Sequence, residues 1–262
     1  MRVGPYTLVS VVDASGVLAT TGRQAFPSAT DQDWEAARRL DAQAFGPDGR
    51  WALDFRCVAI RRPTGRVMLV DVGIGGEGSP AQWAPLPGRL VEALDEAGIR
   101  VGDVDTVVLT HLHEDHCGGV VDGAGRPVFG DARHVVQAAE VAAVRGDTTI
   151  WTYAVEPLSG AGLLDEVDGS VELYTGIAVF PTPGHTVGHQ SVVVAADDDD
   201  DEVVVTGDVL VHAVQLANPD VAYISEADQA VAVDTRRRLL VAARTGRARL
   251  ATAHLHTAFV TP

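Results

Sequence analysis

From position 110 the chain reads Thr110-His-Leu-His-Glu-Asp-His-Cys-Gly-Gly119, directly after the apolar run Thr106-Val-Val-Leu. The run predicts a buried strand that delivers the histidines at its end. In an extended segment alternate side chains share a face, so His111 and His113 project together. Asp115 and His116 follow where the chain must turn, which aims them at a second nearby point. Gly118 and Gly119 relieve the crowding as the chain swings away. Three imidazoles and a carboxylate within six residues suit borderline metals such as zinc. A purely structural cluster is the poorer reading, because three adjacent imidazoles repel once protonated near neutral pH.

These ligands complete one site, and a second metal needs more. The chain offers Thr182-Pro-Gly-His185-Thr-Val-Gly-His189, Thr206-Gly-Asp208-Val at the end of an apolar run, and Thr252-Ala-His254-Leu-His256. Taken alone, each is a capped turn or a core hydrogen bond as readily as a ligand. Their weight lies in their order and spacing relative to the first cluster.

Composition narrows the partners. Lysine is absent, and 20 basic residues face 36 acidic ones, for a net charge of −16. Such a chain repels phosphate backbones, so no nucleic-acid partner is expected. Without lysine there is no Schiff-base chemistry, pyridoxal anchor or P-loop. No apolar run reaches the ~18 residues of a membrane span, and the start lacks a signal-peptide pattern. Two cysteines, Cys57 and Cys117, form no disulfide framework, and a cytoplasmic location is expected. The acidic run Asp197 to Glu202 is read as a solvated turn between strands, since it lacks the spaced ligands and glycine of a calcium loop.

Working outward along the chain, Tyr6–Val12 is expected as a strand and 13–30 as a loop. Ser28 or Asp31 would cap a helix carrying Trp34, Ala37, Leu40 and Ala44. Residues 55–71 predict a hairpin, and 87–99 an amphipathic helix. Further strands are expected at 134–137, 171–180, 190–195, 202–206 and 249–252. Helices are expected at 138–144 and 226–243, the latter with Arg236-Arg-Arg on its solvent side. Interleaved strands and helices give a mixed α+β chain.

The combination of His-x-His-x-Asp-His after a strand, Asp71 upstream, Pro-Gly-His-Thr-x-Gly-His, Gly-Asp and a late His resembles the metallo-β-lactamase-fold superfamily over residues 55–256. The resemblance implies an αββα sandwich, two mixed β-sheets flanked by helices, as one domain over 1–262. Residues 1–54 would form an N-terminal strand and lid-like segment, and 55–262 the metal-binding core. It implies two divalent ions, zinc first, with manganese, iron or cobalt also suited. His111, His113 and His185 would hold one, Asp115, His116 and His254 the other, and Asp208 would bridge them. Asp71 would orient a ligand histidine. A metal-bound hydroxide would attack a carbonyl, with Asp115 carrying the proton to the leaving group.

Within the superfamily, classical zinc β-lactamases carry cysteine at the Asp208 position. Redox di-iron relatives replace the second histidine, retained here as His113, by glutamate. RNA-processing members need basic surface. The remaining branch contains N-acyl homoserine lactonases, methyl-parathion-hydrolase-like enzymes and glyoxalase II-type thioesterases, and within it Gly207-Asp-Val-Leu-Val-His212 and Ala253-His-Leu resemble the lactonase and parathion-hydrolase-like group. Many homoserine lactonases place a tyrosine where this chain has Val211, so His212 is the candidate catalytic donor, with a buried structural role as its alternative. The expected activity is a lactone or ester hydrolase on a small molecule, with a thioesterase or thioesterase/cyclase and a phosphotriesterase as alternatives. A metal-bearing scaffold that only binds is disfavoured by the complete ligand set. A homodimer is a further expectation from the resemblance. His189 is expected to support His185, Cys117 to fill space under the metal loop, and His256 to face either substrate or surface. Trp34, Phe45, Trp51 and Trp83 are candidates for core or lid.

Overall fold

The structure is a computed structural model that describes residues 1–196 and 199–262. Its strands form two sheets. The first runs in spatial order β1 (Arg2–Val3), β2 (Tyr6–Thr21), β3 (Arg50–Arg61), β4 (Val67–Val70), β5 (Val104–Val108), β6 (Arg133–Gln137) and β7 (Leu164–Val167). The second comprises β8 (Val171–Tyr174), β9 (Ile177–Pro181), β10 (Gln190–Ala196), β11 (Asp199–Val205), β12 (Arg249–Ala251) and β13 (Phe259–Val260), in the order β13-β12-β11-β10-β9-β8. Both are mixed: β1–β4 are antiparallel and β4–β7 parallel, while β11 and β12 form a parallel pair in an otherwise antiparallel sheet.

The pleat sorts the side chains. Val58, Ile60, Met68, Val70, Val108 and Val135 point from the first sheet toward Ile177, Val179, Val192, Val194, Val203 and Val205 of the second. Their sequence neighbours Cys57, Ala59, Val67, Leu69, Val107 and Val136 face the other way, onto the helix Leu90–Glu96 and the helical stretch around Ile150–Leu158. Covering both faces explains why these strands read as unbroken apolar runs rather than alternating ones. On the far side of the second sheet, Leu239, Leu240 and Ala243 of the helix Gln229–Gly246 pack on Val204 and Leu250. Helices therefore flank a double sheet, as the resemblance implied. Among the described residues no helix is long and apolar enough to cross a membrane.

Several local expectations need correction. Residues 13–21 continue β2 instead of looping, because the strand pairs with β3 as far as Thr21↔Arg50, through bulges after Val12 and Val17. Ser28 and Asp31 do not cap the next helix. Thr30 does, its hydroxyl accepting from Asp33 N–H at 3.3 Å while Asp33 Oδ2 accepts from Thr30 N–H at 2.8 Å. The single strand expected over 171–180 is two, β8 and β9, reversing at Thr175-Gly176, where glycine sits at φ +70°. The helix 226–243 begins at Gln229 and ends at Gly246, and Arg236 faces inward with no exposure. Within the acidic run, Asp197 and Asp198 lie outside the described residues.

One buried group ties the fold to pH. His134, on β6, is fully buried, and burial lowers its pKa to about 4 against the opposing effect of the Ala132 and Leu163 backbone. As pH falls below about 6.5 the unfolded chain takes up this proton before the folded one does. Stability is therefore complete above that value and is lost toward pH 4, by about 3 kcal/mol for this group. Urea denaturation at pH 7 and pH 4.5 is expected to show the loss, and His134→Leu to flatten the slope. An unchanged slope in the variant contradicts the assignment.

Candidate metal centre

The strands β4 and β5 run parallel, as do β11 and β12, so their carboxyl ends meet along one edge of the double sheet. Each predicted ligand stands just past such an end or in the turn between β9 and β10. Asp71 follows β4, His111 follows β5, Asp208 follows β11, and His254 follows β12. The turn after β5 is tight. Side chains at Gly118 and Gly119 would meet the Ile74 and Val72 carbonyls at 2.3 and 2.1 Å, so only glycine lets the chain leave the site there. Gly207, at φ +49°, has the same constraint, because a Cβ would stand 2.7 Å from His189 Nε2.

All seven predicted ligands converge, in two groups. One consists of His111, His113, His185 and Asp208, the other of Asp115, His116 and His254, with the ligand atoms of each group within 4.8 Å of one another. His113 Nδ1 lies 2.9 Å from both His111 Nε2 and His185 Nε2, so three imidazole nitrogens face one point. Asp208 spans the groups. Its Oδ2 is 3.1 Å from His185 Nε2 and 3.9 Å from His111 Nε2. Its Oδ1 is 3.2 Å from His116 Nε2 and 3.1 Å from His254 Nε2. Asp115 Oδ2 completes the second group at 3.6 Å from His116 and 3.5 Å from His254.

These residues fit bound cations on their own chemistry. Among the described residues His116 Nε2 and Asp208 Oδ1 are buried without a hydrogen-bond partner, which is costly unless something of opposite character occupies the gap. Burial and the neighbouring histidines push His111 well below the ordinary imidazole pKa, leaving its lone pair free. Burial opposes ionisation of Asp208, yet His116, His254 and His185 together hold its carboxyl well below the carboxylate range. Nitrogen and oxygen donors in this mixture suit zinc and its neighbours.

The ligands are held from behind. Asp71 Oδ1 accepts from Thr110 N–H at 2.7 Å, and Oδ2 accepts from Thr110 Oγ1 at 2.9 Å and pairs with His116 Nδ1 at 2.8 Å. This fixes the His116 tautomer with Nε2 toward the centre. Asp71 does this from φ +60°, a strained backbone position for a non-glycine residue. His254 Nδ1 donates to the Asp54 carbonyl at 2.9 Å. His189 supports Asp208 rather than His185, its Nε2 accepting from Asp208 N–H at 2.9 Å while Nδ1 meets Thr182 Oγ1 at 2.8 Å. Cys117 is fully buried, its thiol 3.6 Å from the Leu112 carbonyl.

His212 does not join the centre. Its ring is enclosed by Phe26, Trp34, Phe45 and Trp51 at centroid distances of 5.3 to 5.7 Å, and Nδ1 accepts from Val214 N–H at 3.0 Å. The expected donor role is corrected to an aromatic packing and helix-capping role. His256 bonds Asp41, with Nδ1 at 3.2 Å and its backbone N–H at 3.0 Å from Oδ2, and is partly buried away from the cavity above the candidate ligands.

The centre opens into a cavity of about 510 Å³ lined by Leu18, Trp51, Leu53, Trp83, Val211 and Tyr223 above the ligands. Trp51 and Trp83 are thus wall residues, whereas Trp34 and Phe45 pack around His212. Apart from the ligands, the charged side chain in the described lining is Glu114, and there is no arginine. A second cavity of about 560 Å³ lies behind the Gly119 turn and contains none of the histidines.

Two further residues of consequence carry no sequence signal. Glu140 is buried, with Oε1 accepting from Leu112 N–H at 3.0 Å and Oε2 from Gly188 N–H at 2.9 Å. It clamps the His111–His116 loop to the His185–His189 turn. Tyr223 stacks on His185, ring centroids 6.3 Å apart and planes within 8°. A glutamate in a helical segment and a tyrosine in a polar loop are each unremarkable until the fold brings them to the site.

Residues 56–251 match the family model of the metallo-beta-lactamase superfamily. The chain belongs to that superfamily. An N-acyl homoserine lactonase of Bacillus cereus is 30% identical over 122 residues, 45% of this chain and 45% of the relative. A hydroxyacylglutathione hydrolase of Acidiphilium cryptum (strain JF-5) is 37% identical over 100 residues, 38% and 33% of the two chains. The chain spans less than half the length of the curated relatives it matches. Among solved structures, the hydrolase AbOPH of the beta lactamase superfamily superposes with a TM-score of 0.84 at 20% identity, covering 100% of this chain and 91% of that one.

Proposed function

We propose that the chain is a dinuclear metal-dependent hydrolase of uncharged lactones or esters with an apolar acyl portion. The observation that carries this reading is a seven-residue nitrogen and oxygen cluster at the floor of a mainly apolar cavity that has no arginine in its described lining. The N-acyl homoserine lactonase relative and the dizinc lactonase AidC, a structural neighbour at TM-score 0.79 and 20% identity, act on molecules of this kind. Two divalent ions, zinc first among those that suit the donors, supply an activated water and polarise the carbonyl when bound.

The chain's own residues do the rest. Asp208 presents one oxygen to each group and sets their separation, while Asp71 and the Asp54 carbonyl lock His116 and His254 in orientation. Asp115 lines the cavity beside His254, where it would accept the proton that the attacking water gives up and pass it to the departing alkoxide. Leu18, Trp51, Leu53 and Trp83 take the acyl portion and keep bulk water from the floor. Glu114 at the wall disfavours anionic substrates, which also find no guanidinium to pair with. That weakens the thioester alternative in its coenzyme-bound form, since such carriers bring phosphates.

Zinc-loaded protein assayed against medium-chain lactones, aryl esters, acyl-coenzyme A thioesters and phosphotriesters tests the reading. Lactones or esters are expected to exceed the thioesters in kcat/KM by at least about tenfold, the equivalent of one missing charge-assisted hydrogen bond. Preference for the thioesters or phosphotriesters contradicts it.

A further inference from the structure

Tyr223 lies in the segment between the helix Ala213–Ala217 and the helix Gln229–Gly246, and that segment is fixed on every side. Arg236, with no exposure, donates from Nε to the Pro219 carbonyl (3.1 Å), from Nη2 to Val221 (3.0 Å), and from Nη1 to Val209 (3.2 Å) and to Glu226 Oε1 (2.8 Å). Glu226 Oε2 in turn accepts from Tyr223 N–H at 3.1 Å. Ile224 N–H donates to the Ala25 carbonyl, and Ala227 N–H to that of His185, both at 3.0 Å. One buried cation therefore joins the residue after Asp208 to the segment that carries the tyrosine. Wholly buried ion pairs contribute little net stability, so a pair in this position is better accounted for by the geometry it fixes.

The tyrosine so held lies over the metal centre. Its ring stacks on His185, is flanked by Phe26 at 5.2 Å and Trp51 at 5.8 Å, and lines the same cavity as His113, Asp115, Asp208 and His254. Side chains bearing a neutral hydroxyl in the described lining are Thr20, Tyr223 and Ser225, and of these Tyr223 is the one stacked on a ligand of the metal cluster. A carbonyl under attack gains negative charge on oxygen, and a fixed neutral donor answers that charge without repelling the cations.

We propose that the Tyr223 phenol is the chain's own hydrogen-bond donor to the substrate carbonyl. The assignment rests on the hydrolase reading above. No bond to the tyrosine forms or breaks; its O–H donates to the carbonyl oxygen and retains its proton. Zinc-loaded wild type and Tyr223→Phe test it, since phenylalanine keeps the stack on His185 and removes only the hydroxyl. The variant is expected to keep its zinc content, to lose about 10²-fold in kcat with little change in KM, and to bind the ring-opened 4-hydroxynonanoate about tenfold more weakly by calorimetry. Wild-type kcat in the variant overturns the assignment. So does loss of zinc in parallel with activity, which makes the ring a support for His185. Should the wild type hydrolyse no lactone or ester, the hydrolase reading fails on its own. The calorimetry then still decides the tyrosine, with weaker binding by the variant upholding it and equal affinity refuting it.

Discussion

Asp208→Ala is expected to lower hydrolysis by roughly 10³-fold or more. The side chain presents separate oxygens to the two ligand groups, within 3.1 to 3.2 Å of His185, His116 and His254. Its removal leaves those nitrogens converging without the shared carboxylate that balances two cations. Paired ions contribute several kcal/mol of charge stabilisation, and each ~1.4 kcal/mol corresponds to a tenfold change in rate. The backbone amide that bonds His189 is untouched by the substitution, so the local turn should persist. Steady-state kinetics together with metal analysis of the variant check the expectation. Activity within tenfold of wild type, with metal retained, contradicts the bridging role.

Arg236→Ala is expected to give the largest loss of stability. The guanidinium makes four hydrogen bonds at full burial, one of them to Glu226, whose side chain is itself 1% exposed. Truncation strands the Glu226 charge in the interior, and breaking such a pair from one side costs about 3–5 kcal/mol. In a domain of this size that is a fall in Tm on the order of 10 °C. Replacing both partners with apolar residues, as in Arg236→Met with Glu226→Leu, should recover the part of the loss due to the lone charge, while the Val209, Pro219 and Val221 carbonyls stay unpaired. Thermal and urea denaturation of the three proteins distinguish the outcomes. A single variant within 1 kcal/mol of wild type removes Arg236 from the account.

How far the sequence carried this picture follows from what kind of information each feature needs. The candidate ligands are legible because metal binding restricts residue type to histidine and carboxylate, at strand ends and in the turns that follow them. His111, His113, Asp115, His116, His185, Asp208 and His254 all reached the centre. The sandwich was legible through the same motifs, with β3, β4 and β5 marked by apolar runs. Features decided by tertiary packing were not. Residues 13–21 look like a loop because Gly, Ser and Thr are frequent there, yet pairing with β3 overrides that composition. Arg236 belongs to an Arg-Arg-Arg run that reads as solvated. Periodicity cannot say that one member of the run folds back onto Glu226 in the turn just before its own helix. His212 stands beside the missing tyrosine position, which suits a donor and a buried structural residue equally, and only the aromatic side chains of β3 and the N-terminal segment that enclose it distinguish the two. Glu140 and Tyr223 act through contacts with segments 28 and 38 residues or more away in the chain, which no local pattern encodes.

The central claim is that this chain holds two divalent ions through a shared carboxylate. Elemental analysis of protein stripped of metal and reconstituted with excess zinc, then freed of unbound ion, tests it most directly. Two zinc ions per chain are expected in the wild type and about one in His254→Ala, which leaves the His111–His113–His185 group intact. A wild type that saturates at one ion per chain or fewer contradicts it.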